Sequence, residues 1–296
     1  METDVIIIGS GAAGVQAAIH AARKKVGVVV IGRPEGSALV KAHIENYFGL
    51  GKVSGAEILQ TSIESAKAFG VVFLNEEVIG LEKEEQKFLA RTDTMKEVRG
   101  KAVILAMGIT RNKLNVEGEK EYHGLGVSYC ANCDAGFFKK RPVVVVGDGS
   151  AAAVSVLLLK EYASKVYWVM ERNKASPELM EKVKAIPIEV VEGARPKRII
   201  GEKTVKAVEL TDGRVLETDG VFIEMGAKGG AELAMDLGVL PDDSGNIPVG
   251  KGFQTEAEGV FACGDITGLP WQLAKAVGEG CVAGLSAASY VRKEEE

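Results

Sequence analysis

Residues 4–32 read DVIIIGSGAAGVQAAIHAARKKVGVVVIG. The apolar, β-branched run at residues 5–8 suits a strand buried on both faces. Gly9, Gly11 and Gly14 follow, then a helical stretch closing on Arg23, Lys24 and Lys25, then a second buried strand from Val26 to Ile31. This is a βαβ unit with G-x-G-x-x-G at its first turn. The first glycine permits the sharp turn, the second lets the backbone approach a pyrophosphate, and the third lets helix and strand pack closely. The helix start then offers free N–H groups and a positive dipole end to phosphates.

A second such unit begins 138 residues on (147 − 9), in RPVVVVGDGSAAAVSVLLLKEYASKVYWVM, residues 141–170. Strand Val143–Val146 leads to Gly147, Gly149 and Ala152, and strand Lys165–Met170 follows the helix. One glycine turn also occurs in α/β proteins without a ligand. Two, each set between a buried strand and a helix, predict two dinucleotide-binding domains. Further along, Ser54 and Glu57 form a capping box that opens a helix stopped by Gly70. Asp212-Gly213 between apolar stretches marks a hairpin. FACGD at 261–265 resembles a strand end, residues 273–290 are helical, and RKEEE is a solvated tail.

The bulk numbers exclude several classes. A chain of 296 residues, 46% hydrophobic, can bury one large or two medium cores. Net charge −5 with no basic block argues against a nucleic-acid partner. The N-terminus lacks a basic leader, and no apolar run reaches the ~18 residues needed to span a bilayer, so no membrane partner and a cytoplasmic location are expected. Four cysteines are too few for a disulfide scaffold and fit a reducing compartment. Cys130 and Cys133 lie in SYCANCDAGFF, residues 128–138. They can be read as a redox pair, half a metal site, or two small buried side chains. A zinc site needs two more ligands. His123 is the nearest histidine and no second C-x-x-C exists, so no metal site is expected. His20 and His43 read as structural residues.

Read with its neighbours, the stretch GEKEYHGLGVSYCANCD (118–134) resembles the low-molecular-weight thioredoxin reductases. HIENYFGL (43–50), VILAMGIT (103–110) and GVFACGDITGLPWQLAKAVGEGCVAG (259–284) resemble that family's flavin-side loop, linker strand and closing flavin motif. The resemblance spans nearly the whole chain in the right order. It implies an α/β fold of two Rossmann-like, three-layer ββα nucleotide-binding domains, one inserted in the other. An FAD domain would comprise residues 1–113 and 245–296, and residues 114–244 would form the inserted pyridine-nucleotide-like domain carrying the C-x-x-C pair. Hinges would lie near Gly108–Leu114 and Leu240–Asn246, and the family is homodimeric. The implied activity is FAD-dependent reduction of a thioredoxin disulfide, with Cys130 and Cys133 as the redox disulfide and Asp134 as the acid/base. FAD binding is carried over to Gly9, Gly11, Ala12, Ala13 and Gly14 of the first turn, to Gly36, Asn46 and Val78, and to Ala106 and Gly108. It extends to Gly264 and Asp265, with Asp265 at the ribityl chain or pyrophosphate, and to Trp271, Gln272 and Leu273.

Departures from the family pattern concern the second nucleotide. Trp271 stands where the family has arginine, and Cys263 replaces an alanine, while Cys281 matches a common family cysteine; both thiols read as inert. NADPH-dependent members carry H-R-R-x-x-x-R after the second strand of that domain. Here VMERNKAS (169–176) offers Glu171, placed for a ribose 2′-hydroxyl, with only Arg172 and Lys174 as cations. Asp148 puts a charge inside the glycine turn, and GAKGGAEL (226–233) replaces G-H-x-P-N-T. NADPH is therefore doubtful and NADH possible. The favoured expectation is another donor, such as ferredoxin or a reduced deazaflavin. GRPEGSALVKAHIENY (32–47) is similar to atypical reductases of anaerobes that are independent of pyridine nucleotides. The alternatives are a flavin-dependent dithiol oxidase of the same fold and a non-catalytic redox-sensing flavoprotein. Intact Cys130, Cys133 and Asp134 argue against the latter.

Overall fold

In a computed structural model, which describes residues 1–108, 113–129, 131–225, 230–242 and 245–293, strand Val5–Ile8 lies at the centre of a five-stranded parallel sheet. The order is Val260–Ala262, Ala102–Leu105, Val5–Ile8, Val28–Ile31, Val72–Leu74. Ile7 pairs with Val30 on one side and Ile104 on the other. Alternation then sorts the side chains. Val5 and Ile7 join a core with helices Ala12–Arg23, Gly55–Ala68 and Leu273–Lys293. Ile6 and Ile8 join a second core with the antiparallel sheet Val78–Glu84, Lys87–Thr92, Glu97–Gly100. The result is three layers, helices, parallel sheet and antiparallel sheet. Helix Gly55–Ala68 starts at the Ser54 hydroxyl, which accepts the Glu57 N–H at 3.1 Å.

The second unit repeats the plan. Its parallel sheet runs Val127–Ser128, Gly220–Ile223, Pro142–Val146, Lys165–Met170, Glu189–Glu192. Its antiparallel sheet is Pro196–Gly201, Val205–Leu210, Val215–Glu217, with the Asp212-Gly213 turn joining the last two strands. Trp168 is fully buried and its indole N–H donates to the Gly147 carbonyl at 2.8 Å, tying strand to glycine turn.

The chain divides into Met1–Thr110 with Gly229–Glu296, and Arg111–Lys228. The sequence placed these borders at 113/114 and 244/245. The second differs because helix Gly230–Asp236 belongs to the first unit, where Leu233, Ala234, Leu237 and Val239 bury in the core beneath the antiparallel sheet. Strand 26–31 is also shorter than expected, starting at Val28.

Ile7 is completely buried at the sheet centre, so Ile7→Ala should cost about 2–5 kcal/mol. Phe48 is 98% exposed, and Phe48→Ala should change stability by less than about 0.5 kcal/mol. Urea unfolding of the flavin-free protein would show an earlier transition for the first variant alone.

Candidate functional site

The first glycine turn is built by close backbone approach. The Gly9 N–H donates to Ile31 O and the Ala106 N–H to Ile8 O, both at 2.8 Å, so three strand ends converge there. Gly9 has φ 109°, and a β-carbon on it would lie 2.3 Å from the Ala106 carbonyl oxygen. One on Gly14 would lie 1.9 Å from Gly9 O. Gly11 is the N-cap of helix Ala12–Arg23 and supplies no capping side chain, which leaves the helix start available to an anion. Gly36 ends the short turn Pro34–Gly36, and the Ser37 hydroxyl that follows would stand 3.2 Å from a β-carbon at Gly11.

Val78 opens its strand beside a cluster the sequence did not suggest. Arg33 pairs with Glu77 at 2.7 Å and with Asp93 at 2.6 Å. The Asp93 side chain is fully buried and also accepts the Glu77 N–H at 3.0 Å. Burial pushes the Glu77 carboxyl above the usual carboxylate range, against the attraction of Arg33 and with the repulsion of Asp93. The cluster fastens the segment after strand Val28–Ile31 to the start of strand Val78–Glu84.

Strand Val260–Ala262 delivers Gly264 and Asp265. A β-carbon on Gly264 (φ 87°) would lie 2.8 Å from Ala13 Cβ, so this turn abuts the start of the first helix. Asp265 is half-buried, and its carboxylate takes no hydrogen bond from any described residue. Burial raises its pKa, with Lys275 opposing and Glu279 adding. Nearby in the same unit, Asn46 Nδ2 donates to Gln272 Oε1 at 3.1 Å, bringing the 43–50 loop to the segment before helix Leu273–Lys293. Trp271 is 47% exposed, and Leu273 packs against the helical core. Gly108 sits at φ 67° beyond the strand Ala102–Leu105. The turn 9–14, Gly36, Ala106, Gly264 and Asp265 thus gather at one edge of the sheet. An uncapped helix start for a pyrophosphate and an unengaged, half-buried carboxylate for a hydroxyl fit FAD.

In the second unit, Cys130 lies outside the described residues. Cys133 is within helix Ala131–Asp134, its side chain likewise outside the description, and Asp134 is half-buried. Tyr129, just before the pair, donates its hydroxyl to Glu119 at 2.7 Å. Glu119 also receives the N–H groups of Leu114, Asn115 and Val116. Burial, seconded by Glu119, pushes the Tyr129 hydroxyl well above its ordinary value.

The residue inside the glycine turn of this unit is tied to the loop after strand Lys165–Met170. Asp148 Oδ1 accepts the Glu171 N–H at 2.9 Å and Oδ2 accepts from Lys174 Nζ at 2.8 Å, while the Lys174 N–H donates to the Asp148 carbonyl at 2.7 Å. Burial disfavours the Asp148 charge, but the Lys174 bond and the amides of Glu171 and Arg172 hold its pKa below the ordinary value. The Glu171 carboxylate is itself paired with Arg195. Residues 226–229, the first half of the GAKGGAEL stretch, lie outside the described residues, as do 109–112 and 243–244 of the two expected hinges. Cys263 is fully buried and burial drives its thiol far up, which makes it inert; Cys281 is half-buried. Among the described residues no cluster of three or more metal-ligating side chains occurs, and no helix is long and apolar enough to cross a membrane.

Three comparisons bear on this geometry. The sequence profile described as "Pyridine nucleotide-disulphide oxidoreductase" matches residues 3–280. A thioredoxin reductase of Aquifex aeolicus is 37% identical over 303 residues, covering 97% of this chain and 93% of that protein. Among solved structures, the atypical thioredoxin reductase TRi from Desulfovibrio vulgaris Hildenborough superposes with a TM-score of 0.89 at 31% identity, covering 99% of both chains. A ferredoxin-flavin thioredoxin reductase from Clostridium acetobutylicum does so with a TM-score of 0.71 at 33% identity, again covering 99% of both.

Asp265 yields a pH prediction. Its folded pKa lies above the ordinary 3.8, so the stability it contributes is present below that value and is lost as pH rises through the folded pKa. Melting curves of flavin-free protein between roughly pH 4 and roughly pH 6 should fall less steeply for Asp265→Asn than for the parent. The same substitution should weaken FAD binding about 10- to 100-fold, by loss of a charge-assisted hydrogen bond, in a fluorescence titration.

Proposed function

Since the chain belongs to the thioredoxin reductase family of pyridine nucleotide-disulphide oxidoreductases, and is a flavin-dependent disulfide oxidoreductase, we propose that it reduces the disulfide of a thioredoxin-like protein through Cys130 and Cys133 with a donor other than NADPH. The turn 9–14 and Asp265 would hold FAD, which when bound would carry two electrons between donor and disulfide. The rest of the chemistry belongs to the chain. Two electrons and two protons convert the Cys130–Cys133 disulfide to a dithiol. One thiolate attacks a sulfur of the partner disulfide, forming a mixed disulfide and releasing one partner thiol. The second cysteine then attacks the mixed disulfide, restores the Cys130–Cys133 bond and frees the other partner thiol. The spacing of two residues lets both sulfurs meet. Asp134, adjacent to Cys133, takes the thiol proton as the thiolate forms and returns it to a leaving sulfur.

The donor reading rests on Asp148. Its carboxylate is held by the amide of Glu171 and the ammonium of Lys174, so the loop that would receive a ribose is fastened to the glycine turn. Lys174 and Arg195 are both engaged by carboxylates. A 2′-phosphate placed beside Glu171 would meet a like charge, costing about 1 kcal/mol at 4 Å in water and about 4 kcal/mol in a partly buried site. NADH carries no such phosphate, but it too would have to displace the Asp148 contacts. The ferredoxin named for the Clostridium acetobutylicum relative supports a small electron-carrier protein as donor.

The test is anaerobic reduction of the bound flavin, followed at its visible absorbance, with NADPH, NADH, reduced ferredoxin and reduced deazaflavin in parallel. Bleaching should be fast with one of the last two and slow with NADPH; rapid bleaching by NADPH would overturn the donor reading. Cys130→Ser and Cys133→Ser should each abolish thioredoxin turnover while leaving flavin content and its reduction by the donor intact.

A further inference from the structure

One buried charged pair of the first unit has no part in the chemistry above. Lys275 and Glu279, one turn apart on helix Leu273–Lys293, lie 3.1 Å from each other with side chains only 15% and 14% exposed. Both address the backbone of Gly264, the residue that precedes Asp265. Lys275 Nζ donates to the Gly264 carbonyl at 2.9 Å and to Thr267 Oγ1 at 2.9 Å. Glu279 Oε2 accepts the Gly264 N–H at 2.8 Å and lies 2.7 Å from the Thr267 hydroxyl. The two backbone polar groups of Gly264 are therefore gripped by opposite charges.

This is not an ordinary i,i+4 pair. Exposed pairs of that kind contribute little, and buried ones lose in desolvation most of what they gain in attraction, so an apolar pair of similar volume would serve the fold as well. What an apolar pair cannot do is hold one residue's N–H and C=O at once. Gly264 needs such a hold. At φ 87° and ψ −154° it occupies a region that only glycine visits, and without a side chain nothing on its own residue defines the turn. Lys275 and Glu279 also act oppositely on the charge of Asp265.

We propose that Lys275 and Glu279, with Thr267 between them, are positioning residues that set the Gly264 peptide so that the Asp265 carboxylate meets FAD. The inference rests on the reading of Asp265 as an FAD-binding residue. Removing one partner both loosens the turn and leaves an unopposed charge beside Asp265; removing both loosens the turn but restores neutrality. The clamp acts through Asp265.

The experiment measures FAD dissociation constants by fluorescence on apoprotein well below its melting temperature, with melting curves recorded separately. The variants are Lys275→Met, Glu279→Gln, the double substitution, Asp265→Asn and Glu279→Gln combined with Asp265→Asn. Each single clamp variant should weaken FAD binding about tenfold or more, and the double variant by less than the product of the singles. In the Asp265→Asn background, Glu279→Gln should change binding by less than about twofold. The charge-neutral double variant keeps the measurement available if a single variant fails to fold. Earlier melting with an unchanged dissociation constant would reduce the pair to a structural role and overturn the proposal. So would full additivity of Glu279→Gln and Asp265→Asn. If Asp265→Asn alone leaves binding unchanged, the reading of Asp265 itself falls. If it weakens binding while the clamp variants do not, only the clamp falls.

Discussion

No β-carbon fits on Gly9 or Gly14, where the first strand turns into the first helix, and the candidate site depends on that exclusion. The Gly9 turn is pressed against the backbone of Ala106 and Gly14 against Gly9. Three parallel strand ends can meet there only because the side chains are missing. The sheet supplies the force behind this approach. Val5–Ile8 is buried on both faces and hydrogen-bonded on both edges, so its C-terminal end cannot move away from those of Val28–Ile31 and Ala102–Leu105. The crevice outside the carboxyl ends of parallel strands is where α/β sheets take their ligands.

The two units share this scaffold and use it differently. In both, the helix after the glycine turn begins at a glycine N-cap that offers no side chain, Gly11 in one and Gly149 in the other. The residue between the first two glycines differs. In the first unit it is Ser10, buried and uncharged. In the second it is Asp148, whose carboxylate reaches the amide of Glu171 and the ammonium of Lys174. That carboxylate gives the loop amide a negative partner from within the chain. The same backbone can thus carry an uncharged residue in one unit and an internally paired carboxylate in the other without any change of topology.

What was legible in the sequence followed from local chemistry. Buried parallel strands announce themselves as β-branched runs, and each glycine turn is punctuated by residues that few other structures need. The helix at Ser54 and the hairpin at Asp212-Gly213 are equally local signals. The return to the first unit was not legible, because GGAEL is short and glycine-rich and its assignment depends on Leu233, Leu237 and Val239 finding a core more than a hundred residues away in sequence. The Arg33 cluster was hidden for the same reason, its partners lying 44 and 60 residues downstream. Lys275 and Glu279 were readable as an i,i+4 pair, but not their grip on Gly264. The C-x-x-C stretch was plain as a motif, while its redox reading came from the family resemblance rather than from the spacing.

These hidden contacts divide the labour of the first unit. Apolar burial is non-directional and fixes the layers, since any well-packed arrangement of Ile, Val and Ala would satisfy it. Loops at the sheet edge have no ladder of backbone bonds to define them. There the directional contacts are charge-assisted. Arg33 joins Glu77 and Asp93, and Lys275 with Glu279 holds Gly264. Buried ion pairs are poor sources of net stability, because desolvation offsets their attraction, but breaking one is strongly unfavourable. That asymmetry suits a ligand site. It discourages alternative loop positions without requiring that the native one be deep in free energy, and it concentrates rigidity beside Asp265, the carboxylate proposed to meet FAD.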